Sequence, residues 1–150
     1  MNSLAAPLAF LLGLSSLSQE KADEPLEIIP AGMTRCAEYL PCVRLSITNN
    51  GDLPVSFGAD GFLKPTIRQP DVEYFSSTNG NWTEFGQVIG TFLAPRRTIT
   101  IQPGDTNRLY ADISDIPSGA NAVRVSIRDK SGTFHYSHAF DLKGRAVSAQ

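Results

Sequence analysis

The sequence predicts an all-β protein, an antiparallel β-sandwich of about seven or eight strands. Three observations carry this. Short segments alternate apolar and polar residues with period two, the signature of half-buried strands. Gly, Pro, Asn and Asp clusters separate them at turn spacing. Helical periodicity is absent after the first nineteen residues. Strands in succession with turns between them close most simply as two antiparallel sheets around one core.

Taken in order, Pro25 to Ile29 reads as a short opening edge strand. Val43-Arg44-Leu45-Ser46-Ile47-Thr48 is the clearest strand, with Val43, Leu45 and Ile47 on one face. It runs into Asn49-Asn50-Gly51-Asp52, where Asn-Gly supplies the positive φ of a tight hairpin turn, and Leu53-Pro54-Val55-Ser56-Phe57 is expected to pair back on it. Pro54 has no N–H to give a ladder, which places it at an edge or a bulge. The stretch from Gly58 to Pro95 is less regular. Ile67, Val72, Tyr74 and Phe75, then Trp82, Phe85, Val88 and Ile89 around the polar turn 76–81, predict two further strands.

Thr98-Ile99-Thr100-Ile101 alternates and stops at Pro103-Gly104-Asp105, and Leu109, Ala111 and Ile113 alternate after it. The last hairpin is the strongest. Val123, Val125 and Ile127 face one way and Arg124, Ser126 and Arg128 the other, and Asp129-Lys130-Ser131-Gly132 turns the chain. The returning strand, Thr133 to Leu142, is expected to direct Phe134, Tyr136, His138, Phe140 and Leu142 to the core. His135, Ser137, Ala139 and Asp141 then line the outer face. Gly144 to Gln150 has no core pattern and is expected to fray.

Met1 to Gln19 carries no charge, and the run Leu4 to Leu14 is almost wholly apolar. Such a run, followed by Ser15-Ser16-Leu17-Ser18 and then by charge at Glu20, fits a secretion signal over residues 1–18. It is short for a transmembrane span, which needs about 20 apolar residues. No Lys or Arg precedes it, as in a chain whose true start lies upstream. The domain is then expected to cover residues 19–143, with a flexible tail at 144–150, in a secreted or periplasmic chain. Its 41% hydrophobic and 19% charged residues are ordinary for a globular domain. Thirteen basic against fifteen acidic residues, a net charge of −2, give no basic face for nucleic acid and no electrostatic membrane anchor.

Cys36 and Cys42 are the only cysteines. In an oxidising compartment their proximity predicts a disulfide. The spacing lacks the two-residue gap of thioredoxin-like redox centres and the further ligands of a structural zinc site.

Val43 to Val55, Ile99 to Asp105 and the closing Val-x-Val-x-Ile hairpin resemble the immunoglobulin-like sandwiches of exported bacterial proteins. The resemblance covers about half of the mature chain and concerns architecture, since both cysteines precede the only tryptophan, unlike the antibody-type arrangement. It implies an immunoglobulin-like fold. Such sandwiches serve adhesion, inhibition, chaperoning, sugar binding and spacing, so the fold alone chooses no function.

Candidate chemistry is sparse. His135 and His138, three apart on a strand, face opposite sides and share no ion without a bulge. No Gly-x-Ser-x-Gly elbow, His-Glu-x-x-His or phosphate-binding loop occurs. Asp52, Asp60, Asp105, Asp112 and Asp115 fall at predicted turns or strand ends, without the alternating ligand spacing of a calcium loop. No cofactor or metal is expected, and no enzymatic role. The candidate binding surface comprises Trp82 and Tyr74, beside an Asn- and Ser-rich turn, the Arg96-Arg97 pair, and His135. Trp82 suits either the core or a surface that anchors a partner. The expected function is non-catalytic binding, first of another protein, as an inhibitor, immunity or accessory subunit. A carbohydrate-binding module and a small secreted hydrolase are the alternatives.

Overall fold

The computed structural model describes residues 24–38, 40–61, 64–67, 71–76, 81–85, 96–114 and 116–147. The expected export signal at 1–18, the expected strand residues Val88 and Ile89, and the side chains of 71–76, 84–85 and 96 lie outside this set. The described residues are all-β and hold ten strands. These are β1 (Leu26–Ala37), β2 (Leu40–Asn49), β3 (Val55–Asp60), β4 (Thr66–Ile67), β5 (Asp71–Ser76), β6 (Asn81–Phe85), β7 (Arg96–Ile101), β8 (Thr106–Asp112), β9 (Ala122–Arg128) and β10 (Phe134–Tyr136). The two shortest, β4 and β10, carry too few residues to show a period, which takes the count beyond the seven or eight expected.

One sheet has the order β1-β2-β8-β4-β3-β7 and the other β10-β9-β5-β6. All pairings are antiparallel except the short parallel contact of β4 with β8. A single buried cluster draws on both sheets. Leu26, Ile28, Val43, Leu45, Ile47, Phe57, Ile101 and Leu109 come from the first, and Val123, Val125 and Ile127 from the second. The period-two alternation of β2 and β9 is what delivers these side chains to one side.

The expected hairpin between residues 43–48 and 53–57 does not form. β2 pairs β1 and β8, whereas β3 pairs β4 and β7, so the Asn49–Pro54 segment crosses between non-neighbouring strands. The turn at 103–105 likewise joins β7 to β8 without pairing them. The two crossings are fastened together at Asn49, which is fully buried. Its backbone N–H donates to Asp105 O (3.0 Å) and its carbonyl accepts from Gly104 N (2.8 Å). Its side-chain Nδ2 donates to Leu53 O (2.8 Å) and Ile101 O (2.9 Å), and Oδ1 accepts from Gly51 N (3.0 Å). Gly51 is needed here for close approach rather than for a positive φ, because a Cβ would come within 2.8 Å of Pro25 Cβ.

The closing strand corrects the expected register. Tyr136 pairs with Ser126, and the next bridge is Phe140 with Val123, so four steps along one chain meet three along the other. That extra residue is a bulge, and it flips the alternation. Ser137 occupies it: its amide donates to Val125 O (2.8 Å) and its Oγ accepts from Val125 N (2.9 Å). Phe140 therefore points inward as expected, but from Phe134 through the bulge His135 and Ser137 are the buried residues and Phe134, Tyr136 and His138 are exposed. Leu142, expected in the core, sits exposed in a turn. The segment expected to fray is hydrogen-bonded as far as Val147, whose amide donates to Ala139 O (2.9 Å).

Candidate functional site

The reversed register assembles a surface on the outer side of the four-stranded sheet. β9 sends Val123, Val125 and Ile127 into the core, which leaves Arg124, Ser126 and Arg128 on the other side. β10 adds Phe134 and Tyr136, which remain 46% and 38% exposed although both are large aromatics. Trp82 joins them from β6, half-buried. The Arg124 guanidinium carbon lies 4.5 Å from the Trp82 ring centroid and 4.9 Å from that of Tyr136. A second pair stands beside it, Arg128 over Phe134 at 5.6 Å. Guanidinium groups over ring faces are attracted by the ring quadrupole, and each such contact restrains an otherwise mobile side chain. Two small outward residues of β9, Ala122 and Ser126, are buried within this layer at 4% and 3% exposure.

On the inner side of the same hairpin His135 is buried, contrary to its expected place on the binding surface. Its Nε2 lies 2.9 Å from Asp129 Oδ2, and its ring meets Phe57 edge-on at 6.1 Å. Asp129 also closes the β9–β10 turn, its Oδ1 accepting from Ser131 N (2.8 Å), Ser131 Oγ (2.6 Å) and Thr133 N (3.0 Å). Burial pushes the Asp129 carboxyl up, but the hydrogen bonds from His135, Ser131 and Thr133 and the imidazole's charge outweigh it and hold the group at about 2, below the ordinary 3.8. The carboxylate stands between imidazole and hydroxyl. In that order His135 is not placed to take the Ser131 proton, as nucleophile activation requires; the three groups clamp a turn.

The other expected site residues are dispersed. Arg96 and Arg97 belong to β7 in the opposite sheet, opposite Asp60 and Ala59, with the Arg97 side chain half-buried. Tyr74 pairs in register with Val123 and Thr83, and its side chain lies outside the described residues. Cys36 and Cys42 stand at sulfur-to-sulfur bonding distance, with Cα atoms 5.7 Å apart. They staple the β1–β2 hairpin where the register shifts between Arg35 and Ala37.

Of the residues expected on a binding surface, Trp82 lies on the outer face of the four-stranded sheet, beside Arg124, Arg128, Phe134 and Tyr136, which the sequence did not single out. The two arginines were legible as outward residues of β9; their ring partners on β10, Phe134 and Tyr136, were not, because the bulge at Ser137 has no unambiguous mark in the sequence. No protein-family model matches the chain, and no curated protein matches it in sequence.

Proposed function

We propose that this chain is a secreted or periplasmic, non-catalytic binding domain that acts on another protein, as an inhibitor, immunity or accessory subunit does. Residues 1–18 are its export signal, and the domain is an immunoglobulin-like sandwich. The observation that carries the reading is the Trp82–Arg124–Tyr136 stack. Trp, Tyr and Arg are the residues that dominate protein-interface energetics, because they bury much area at low entropic cost and hold directional donors. Here they are ordered before any partner arrives, which lowers the cost of association. A sugar needs open ring faces for stacking, and Arg124 takes one face of both rings. This favours a protein partner over a carbohydrate.

The test places a photo-crosslinking phenylalanine analogue at Tyr136, and in a separate chain at exposed Thr98 of β7, in the organism that makes the full chain. The proposal expects a discrete protein adduct from position 136, absent from position 98 and lost when Arg124→Glu is added. Adducts equal at both positions, or none at 136, contradict it.

A further inference from the structure

We infer that the corner formed by Arg128 and Phe134 receives a carboxylate of the protein partner, carried on a segment whose adjacent apolar side chain lies on Phe134 and Tyr136. This rests on the protein-binding reading above and adds the chemistry of the partner.

The two outward arginines of β9 are in different situations. Arg124 has Glu73 opposite it in the β5–β9 ladder, and Glu84 beyond that on β6. Arg128 lies past the end of that ladder, whose terminal pair is Asp71 with Ser126. Its cross-strand neighbour on β10 is Phe134. The nearest acid along the chain, Asp129, is committed to His135, Ser131 and Thr133. The neighbouring cation, Lys130, donates instead to Thr98 Oγ1 of the other sheet (2.5 Å). Among the described residues, the Phe134 ring is what the Arg128 guanidinium interacts with.

That arrangement is a half-built recognition site. Arg128 is exposed but held between the ring and the β9–β10 turn, where a Cβ on Gly132 would lie 3.4 Å from one of its terminal nitrogens. The contact with the ring uses the positive charge of the guanidinium and no acceptor oxygen, so it leaves the N–H fork, which matches the two oxygens of a carboxylate, to a partner. Phe134 at 46% and Tyr136 at 38% exposure supply apolar area beside it. A partner covering them excludes water from the ion pair and strengthens it.

Peptides selected from a displayed random dodecamer library against the folded full chain test this, with Arg128→Gln and Tyr136→Ser as variants and thermal melts as the fold control. The expected peptides carry Asp or Glu next to an apolar residue. Changing their acids to amides, or Arg128 to Gln, weakens binding about ten- to a hundredfold. Peptides that lose affinity with Tyr136→Ser but ignore both Arg128→Gln and their own acids overturn the carboxylate inference and leave the protein-binding face standing. Peptides indifferent to both variants, or none selected, overturn the inference together with the reading beneath it.

Discussion

The guanidinium of Arg124 lies over the only tryptophan, Trp82, at 4.5 Å, and over Tyr136 at 4.9 Å. An outward arginine on a sheet is ordinarily replaceable within about 0.5 kcal/mol. Two ring contacts change that expectation. Arg124→Ala should cost about 1 to 2 kcal/mol in urea unfolding and shift Trp82 emission to the red as the ring gains water. Unchanged stability and emission would mean that the stack is not formed in solution.

Ile127 is fully buried among Val123, Val125 and Phe140. Ile127→Ala should cost about 2 to 5 kcal/mol through lost burial and the cavity left behind, read from the denaturant midpoint at unchanged slope. A loss below that of Arg124→Ala would mean that β9 faces the other way.

Asn49 satisfies the buried carbonyl of Ile101, the part-buried carbonyl of Leu53 and one amide with a single side chain. Asn49→Ala leaves them without partners and should cost on the order of 3 kcal/mol, while Asn50→Ala, exposed next to it, should stay within about 0.5 kcal/mol. Equal effects would remove Asn49 as the fastening of the two crossings.

The depressed Asp129 carboxyl sets an acid limb. Its folded value, about 2, lies below the ordinary 3.8, so the stabilisation is complete above the unfolded value and is lost as pH falls from there through about 2. Asp141, lowered by the Arg145 backbone amide and then by its side chain, adds in the same direction. Melting temperature followed from pH 6 to pH 2 should fall less steeply in Asp129→Asn, which keeps the Oδ1 acceptor of the turn. An identical slope would remove the carboxylate from the account.

How much of this was legible depended on whether a residue's type excluded one face. Val123, Val125 and Ile127 against Arg124 and Arg128 admit one orientation, and β9 was readable. From Phe134 to His138 the types Phe, His, Tyr, Ser and His suit either face, and the unmarked bulge at Ser137 decided the matter. At Asn49-Asn50-Gly51 local turn chemistry pointed to a hairpin, but long-range pairing of β2 with β8 and β3 with β7 overrode it. Trp82 was legible as a candidate, whereas Arg124 became a site residue only through two rings from different strands.

Binding through the outer face of the four-stranded sheet requires that Phe134 and Tyr136 face solvent while His135 between them faces the core. Hydroxyl-radical footprinting of the folded full chain, read residue by residue by mass spectrometry, compares three reactive side chains on one short strand. Phe134 and Tyr136 should be oxidised rapidly and His135 protected until the chain is unfolded. Rapid oxidation of His135 with protection of Phe134 and Tyr136 would put the aromatics in the core and leave no such surface to bind with.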